Sequence, residues 1–97
     1  MRVNRYQKEK AQNKIWREKH PLQWAFICQR QNARRRGIEF LFTFSDWLRT
    51  WGEAIELRGR GADALCMSRI NDTGPYAEGN VEIITNRGNN RLQHRAA

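Results

Sequence analysis

The chain has 97 residues, a formal net charge of +8 and a hydrophobic content of 39%. A chain of this length forms one domain with a modest core, so its functional groups must lie on exposed faces. No stretch approaches the roughly 20 apolar residues of a membrane span, and the first residues lack the apolar segment of a secretion signal. We therefore expect a cytoplasmic protein with no membrane partner. Cys28 and Cys66 lack zinc-site spacing and are too few for a disulfide scaffold, so we expect both to be small, buried hydrophobic residues.

The positive charge is concentrated in the first third of the chain. Residues 1–36 contain 11 Lys or Arg against 2 Glu, a net of +9, whereas residues 37–97 contain 7 Arg against 8 acids, a net of -1. Such a basic segment favours a polyanionic partner, and nucleic acid is the commonest one for a chain without an amphipathic anchor. The alternative is that the basic residues only keep the chain soluble.

The chain is predicted to divide after residue 20. Residues 1–20 form a basic arm or a weakly amphipathic helix, and residues 21–97 form the single folded domain. A helix begins at Pro21, which suits a first helical position, and stops at Gly37. Its last turns carry four candidate phosphate-binding residues, Arg30, Arg34, Arg35 and Arg36.

The strongest local signal is a helix start at Thr43. Thr43 and Asp46 have the spacing of a capping box, and the apolar residues that follow recur at helical spacing, so residues 44–56 are predicted to form a core helix. Its tryptophans, Trp47 and Trp51, are expected in the core and not on a base-stacking surface. Residues 38–42 are predicted to be a short strand or extended linker, and the glycine-rich residues 57–64 a mobile loop.

The last third of the chain is predicted to form strand, loop, strand and helix. "ALCMSRI" and "NVEIIT" have strand patterns, "NDTGPYAEG" between them is rich in turn formers, and Thr85 or Asn86 can cap a following helix. The predicted fold class is α+β, with basic N-terminal helices, a core helix and a C-terminal ββα unit.

The stretch "MSRINDTGPYAEGNVEIITNRGNNR", residues 67–91, resembles phage-borne proteins related to the HNH, or ββα-metal, endonucleases. Their pattern runs Asp-Arg-Ile-Asp, then Gly-Tyr, then Asn-Val and a strand, then a helix with Asn. "ARRRGIEFLFTFSDW", residues 33–47, resembles the segment that precedes this pattern, and the whole resemblance covers residues 24–92. It implies an HNH-like ββα unit, phage origin, a location in the host-cell cytoplasm and duplex DNA as partner.

The resemblance also assigns roles to individual positions. Asn80 matches the Asn that fixes the loop, and Asn90, or alternatively Asn89, matches the helix residue that completes a metal site. Ser68 stands where a metal-binding Asp is expected, and Arg69 where a His would act as general base. A guanidinium stays protonated at neutral pH and cannot be that base. These four matched positions, Ser68, Arg69, Asn80 and Asn90, thus indicate a degenerate catalytic motif.

Few side chains near this motif are able to bind a metal ion. Asp72 is the nearest acid, and with Asn90 it is the candidate pair of ligands for Mg²⁺, although one acid makes a poor site for this cation. Asn80 has a structural alternative, in which its side chain closes the loop by bonding to the backbone. His20 and His94 are expected to face solvent and not to act as bases.

Three functions follow from these assignments. The first is a DNA-binding protein that keeps an HNH-like scaffold with a degenerate site. The second is an active Mg²⁺-dependent DNA nickase or endonuclease that uses Asp72 or a water as base. The third is a phage-encoded modulator that binds a host protein through its basic arm. Candidate nucleic-acid contacts are Arg30, Arg34, Arg35, Arg36, Arg69, Arg87 and Arg91.

Overall fold

A computed structural model of the chain describes residues 13–96, and the side-chain surroundings of residues 13–91. Residues 1–12 of the predicted basic arm and the side chain of His94 lie outside the described part. The elements in chain order are a helix over residues 13–19 (α1), α2 (Pro21–Arg35), α3 (Phe44–Trp51), a 3₁₀ helix (Gly52–Leu57), β1 (Leu65–Arg69), a short 3₁₀ turn (Ile70–Asp72), β2 (Val81–Thr85) and α4 (Asn86–Ala96). This mixture of helices with a two-stranded antiparallel sheet agrees with the predicted α+β class. No helix between residues 13 and 96 combines the length and apolar content needed to cross a membrane.

Helix α2 has the predicted boundaries. Pro21 occupies its first turn, where a missing backbone N–H costs nothing, and Gly37 follows its end with φ +73°. That left-handed conformation is readily adopted by glycine and reverses the chain direction after the helix. Phe26 and Ala33 are the buried residues of α2, so this helix attaches to the core along one stripe.

Helix α3 starts as predicted and ends earlier than predicted. The Thr43 Oγ1 atom accepts a hydrogen bond from the backbone N of Asp46 at 3.1 Å, which confirms the N-cap. The prediction of one helix over residues 44–56 is wrong after Trp51. Gly52, with φ +56° and ψ -141°, ends the α-helix, and the chain continues as the 3₁₀ helix. The apolar period predicts which side chains face the core, but a glycine at this position interrupts the backbone pattern.

The core is aromatic and lies between α2, α3 and one face of the hairpin. Its buried members are Phe26, Phe42, Trp47, Trp51 and Met67. Trp47 is 1% exposed, its ring lies edge-on to that of Phe26 at 5.7 Å between centroids, and its Nε1 donates to Gln29 Oε1 at 2.7 Å. Trp47 and Trp51 are therefore core residues, as predicted.

Strands β1 and β2 pair in antiparallel register from Leu65 opposite Thr85 to Arg69 opposite Val81. Because side chains alternate along a strand, Met67 enters the aromatic core whereas Ser68 faces α4. The Thr85 Oγ1 atom accepts from the backbone N of Gly88 at 3.0 Å and caps α4, which confirms one of the two predicted caps. The hairpin thus has one face for the core and one for the last helix.

Two irregular segments are held by long-range hydrogen bonds. Residues 38–42 are extended, and the Leu41 N–H donates to the Tyr76 carbonyl at 2.8 Å, so this linker pairs with the hairpin loop. The segment 57–64, predicted to be a mobile loop, is irregular but anchored. Asn86 Nδ2 donates to the carbonyls of Gly59 at 2.9 Å and Gly61 at 2.7 Å. The anchoring residue lies 25 and 27 positions later in the chain, so loop composition alone does not reveal it.

Candidate functional site

A buried polar contact lies at the junction of β1 and α4. Ser68 is 4% exposed, and its Oγ donates to Asn89 Oδ1 at 2.9 Å. Asn90, the preferred match for the helix residue of the HNH pattern, is exposed. Since adjacent helical residues differ by about 100° in direction, only one of two successive asparagines can face the strand. The structure gives that place to Asn89, the alternative assignment.

Arg69 is directed into the hairpin loop. Its side chain is 10% exposed, its Nη1 donates to the Gly74 carbonyl at 2.7 Å, and its Nη2 contacts Asp72 Oδ1 at 3.2 Å. The guanidinium carbon also lies 5.7 Å from the ring centroid of Tyr76. Ser68 and Arg69 occupy successive strand positions and point to opposite faces. The guanidinium therefore holds the loop and is not free on the surface.

Asn80 makes the loop-closing contacts of its structural alternative. Its Nδ2 donates to the carbonyls of Thr73 at 2.9 Å and Pro75 at 2.8 Å. Gly74, with φ +76°, lies directly against this amide, and a Cβ added to Gly74 would be 2.9 Å from Asn80 Nδ2. The backbone N of Ile70 donates to the Asn80 carbonyl at 2.9 Å. The asparagine thus joins both ends of the loop.

The side chains present do not fit a Mg²⁺ site built on the HNH pattern. This cation prefers several oxygen ligands in octahedral geometry. The Asp72 carboxylate contacts the Arg69 guanidinium, the Ser68 hydroxyl bonds to Asn89, and Asn90 is exposed. Among the described residues, no three His, Cys, Asp or Glu side chains come together as a metal-binding group.

Two further acids lie near the hairpin, Glu78 and Glu82. Glu78 pairs with Arg49 at 2.7 Å, and hydrogen bonding with this carboxylate is the main cause of the raised pKa of the Arg49 guanidinium. Glu82 is the cross-strand partner of Ser68, so the two side chains start on the same face of the sheet, but Glu82 is exposed whereas Ser68 is buried. Cys28 and Cys66 are both only partly buried, so the prediction that they are buried is not met in full, although burial raises the pKa of the Cys66 thiol.

The second candidate surface is the end of α2. It consists of four exposed side chains, which we call the α2 arginine cluster, Arg30, Arg34, Arg35 and Arg36. Within the described residues, ion pairs to carboxylates are made by Arg49, Arg69 and Arg87, and none involves the α2 arginine cluster. Its positive charge therefore has no internal compensation from this part of the chain.

The other two arginines predicted to contact nucleic acid lie on α4. Arg87 is exposed and reaches Asp63 Oδ1 at 3.4 Å, and Arg91 is exposed. The Arg87 pair is solvent-accessible on both sides, so it leaves the guanidinium free to exchange partners. The predicted basic residues are thus separated into the α2 arginine cluster, a pair on α4, and Arg69 inside the loop.

Comparison of the chain with family models, curated proteins and solved structures found no match in any of the three.

Proposed function

We propose that this chain is a DNA-binding protein with an HNH-like strand, loop, strand and helix unit that has lost its hydrolytic groups. The observation that carries the binding part of this proposal is the exposed α2 arginine cluster, which no carboxylate of the described residues neutralises. The sequence places this cluster in the segment of net charge +9. An uncompensated group of guanidinium ions is suited to binding the regularly spaced phosphates of a duplex.

Arginine is well suited to this role. Its planar guanidinium stays charged and donates two parallel hydrogen bonds to phosphate oxygens. Each phosphate that it neutralises releases condensed counterions, so binding weakens as salt rises. Arg35 also donates to the Asn32 side chain on the same helix, which restricts the direction of its guanidinium. The end of α2 is thereby a charged surface with partly ordered side chains.

The proposed loss of hydrolysis is supported at β1. In this proposal the Ser68 hydroxyl replaces a metal-binding carboxylate, and it already donates a hydrogen bond to Asn89 Oδ1 at 2.9 Å. Arg69 replaces the general base, but its guanidinium cannot accept a proton at neutral pH. Loop closure by Asn80 and Arg69 preserves the shape of the hairpin without requiring either residue to take part in chemistry.

The binding proposal is tested by the salt dependence of duplex affinity. We expect the double substitution Arg34→Gln with Arg35→Gln to weaken binding and reduce the slope of log K against log salt by about 1.8, since each lost phosphate contact removes about 0.9 on duplex DNA. Fluorescence anisotropy of a labelled duplex at several salt concentrations measures both quantities.

Arg49→Gln is the matched control. Arg49 is exposed but contacts Asp46 and Glu78 at 2.6 and 2.7 Å, so its charge is compensated locally. We expect its substitution to leave the salt slope unchanged. Equal slopes for wild type and the double variant, or an equal change in Arg49→Gln, would contradict a specific role for the α2 arginine cluster.

A further inference from the structure

A cleft of about 420 Å³ opens between α2, the end of α3, the 58–60 segment and β1. Leu65 and Met67 of β1 contribute to it, so it lies on the core side of the hairpin. Ser68 contacts α4 on the other side. The cleft is therefore separate from the Ser68 and Asn89 contact.

The wall of this cleft contains donors that lack acceptors. Trp51 is 5% exposed, and its Nε1 has no hydrogen-bond partner among the described residues. Arg58 Nε is likewise buried without a partner in this part of the chain. Trp47 provides a comparison on the same helix, since its Nε1 is bonded to Gln29 Oε1. A buried donor without an acceptor destabilises the folded chain, so an acceptor at this place would stabilise it.

The charge of the cleft has one sign. Three arginines line it, Arg36 from the end of α2 and Arg58 and Arg60 from the segment after the 3₁₀ helix. None of the three pairs with a carboxylate within residues 13–91, and no Asp or Glu lines the cleft. Three cations and unsatisfied N–H donors together select a ligand that is anionic and rich in acceptor oxygens.

We propose that this cleft binds a phosphate group. Arg36, Arg58 and Arg60 supply its counter-charge, and the N–H donors of Trp51 and Arg58 supply hydrogen bonds. The two unsatisfied nitrogens are covered in the free chain, so binding in this proposal requires the side chains over them to shift. The group can be carried by a mononucleotide or by the backbone of a nucleic acid, which present the same oxygens. This site does not depend on the HNH resemblance.

The indole N–H resonance of Trp51 is the direct readout. The full chain, labelled with ¹⁵N, is titrated with inorganic phosphate, then with a 5′-mononucleotide and with a DNA duplex, at fixed ionic strength. Substitution Trp51→Phe assigns the resonance. We expect saturable movement of the Trp51 resonance with phosphate or a phosphate ester, while the Trp24 resonance, which is outside the cleft, stays in place. Movement with the duplex identifies a nucleic-acid phosphate, and movement with the small ligands alone identifies a soluble one.

Arg60→Gln tests the charge of the site, because Arg60 is exposed and its loss leaves the core intact. We expect it to weaken phosphate binding at least fivefold. Arg49→Gln is the control, since Arg49 has the same charge, is exposed, does not line the cleft and is not part of the α2 arginine cluster. A Trp51 resonance that fails to move with all three ligands would overturn the proposal, and so would equal weakening of phosphate binding by Arg60→Gln and Arg49→Gln. Duplex binding that persists in either case would leave the proposed function standing without this site.

Discussion

The hydroxyl of Ser68 and the amide of Asn89 share one hydrogen bond in a nearly dry junction between β1 and α4. Each is a short polar side chain that the other satisfies, so removal of one leaves the other unpaired. Their pairing fixes the rotation of α4 relative to the strand.

We predict that Ser68→Ala and Asn89→Ala each lower the free energy of unfolding by about 1 to 2 kcal/mol, because each leaves a buried polar partner without its hydrogen bond. Urea denaturation followed by tryptophan fluorescence measures the loss. Asn90→Ala is the control, since Asn90 is exposed, and its effect should stay within about 0.5 kcal/mol. A larger loss for Asn90→Ala than for Asn89→Ala would contradict the assignment of Asn89 to the junction.

The Arg69 side chain holds the hairpin loop through its bonds to Gly74 and Asp72, so its removal should lower stability. We predict that Arg69→Ala lowers the free energy of unfolding by about 2 to 3 kcal/mol, because the mostly buried guanidinium bonds to Gly74 and Asp72 and stacks on Tyr76. Chemical denaturation provides the measurement. Arg87→Ala, which removes an exposed ion pair, should cost less than about 1 kcal/mol.

Duplex affinity of the folded Arg69→Ala variant separates the loop role from a phosphate contact. With the loop role alone, affinity per folded molecule stays within about twofold of wild type, as measured by anisotropy under conditions where both proteins are folded. A tenfold loss of affinity with unchanged stability would return Arg69 to the nucleic-acid interface.

At the scale of elements, the loop between β1 and β2 is built around the contact between Gly74 and Asn80. Gly74 and Gly79 both have positive φ, +76° and +83°, and an alanine at either position is strained by about 1 to 2 kcal/mol. Only at Gly74 would the added Cβ also meet Asn80 Nδ2, at 2.9 Å, whereas at Gly79 it meets no atom within 4 Å. The two glycines therefore form a matched pair.

We predict that Gly74→Ala destabilises the chain by at least about 1 kcal/mol more than Gly79→Ala. The added methyl group must displace the Asn80 amide from the carbonyls of Thr73 and Pro75, which breaks two hydrogen bonds. Thermal denaturation of both variants in parallel gives the difference. Equal destabilisation would mean that Asn80 moves without loss and does not hold the loop.

The elements differ in how far local sequence determines them. Pro21, Thr43 and Thr85 are local signals, because each acts on backbone groups within a few residues, and all three mark helix starts that the structure confirms. The apolar period predicts an α3 helix that is five residues too long, because the spacing of apolar residues carries no information about the positive φ of Gly52. Anchoring of the 57–64 segment by Asn86 depends on contact across the fold and has no local signal.

The candidate site was predicted less fully than the fold. The sequence pattern indicates residues 68, 69 and 80 as site positions. It does not decide between Asn89 and Asn90, because the rotation of the packed helix determines which of the two faces Ser68. It also gives no sign of the arginine-lined cleft, since Arg36 and Arg58 are separated by a helix and a 3₁₀ segment and meet only in the folded chain. A cluster of like charges can be recognised in the sequence, whereas hydrogen-bond donors that come together from separate segments can be found only in the folded structure.

For the whole molecule, charge and scaffold are separated along the chain. Residues 1–36 carry a net charge of +9 and include the α2 arginine cluster, whereas residues 37–97 carry a net charge of -1 and include the hairpin. A long-range attraction to polyanions therefore comes from the first third, and the rest of the chain contributes shape. In the proposed function, binding and hydrolysis belong to different parts of the molecule, so one can be lost without the other.

One plasmid experiment separates DNA binding from hydrolysis. Supercoiled plasmid is incubated with the full chain in Mg²⁺ or Mn²⁺, and each sample is run on agarose before and after removal of the protein with detergent and protease. We predict a retarded band that weakens as salt rises, followed by recovery of fully supercoiled plasmid after deproteinisation. Nicked or linear plasmid that disappears in Asp72→Ala would contradict the loss of hydrolysis, and an absence of retardation at low salt would contradict DNA binding itself.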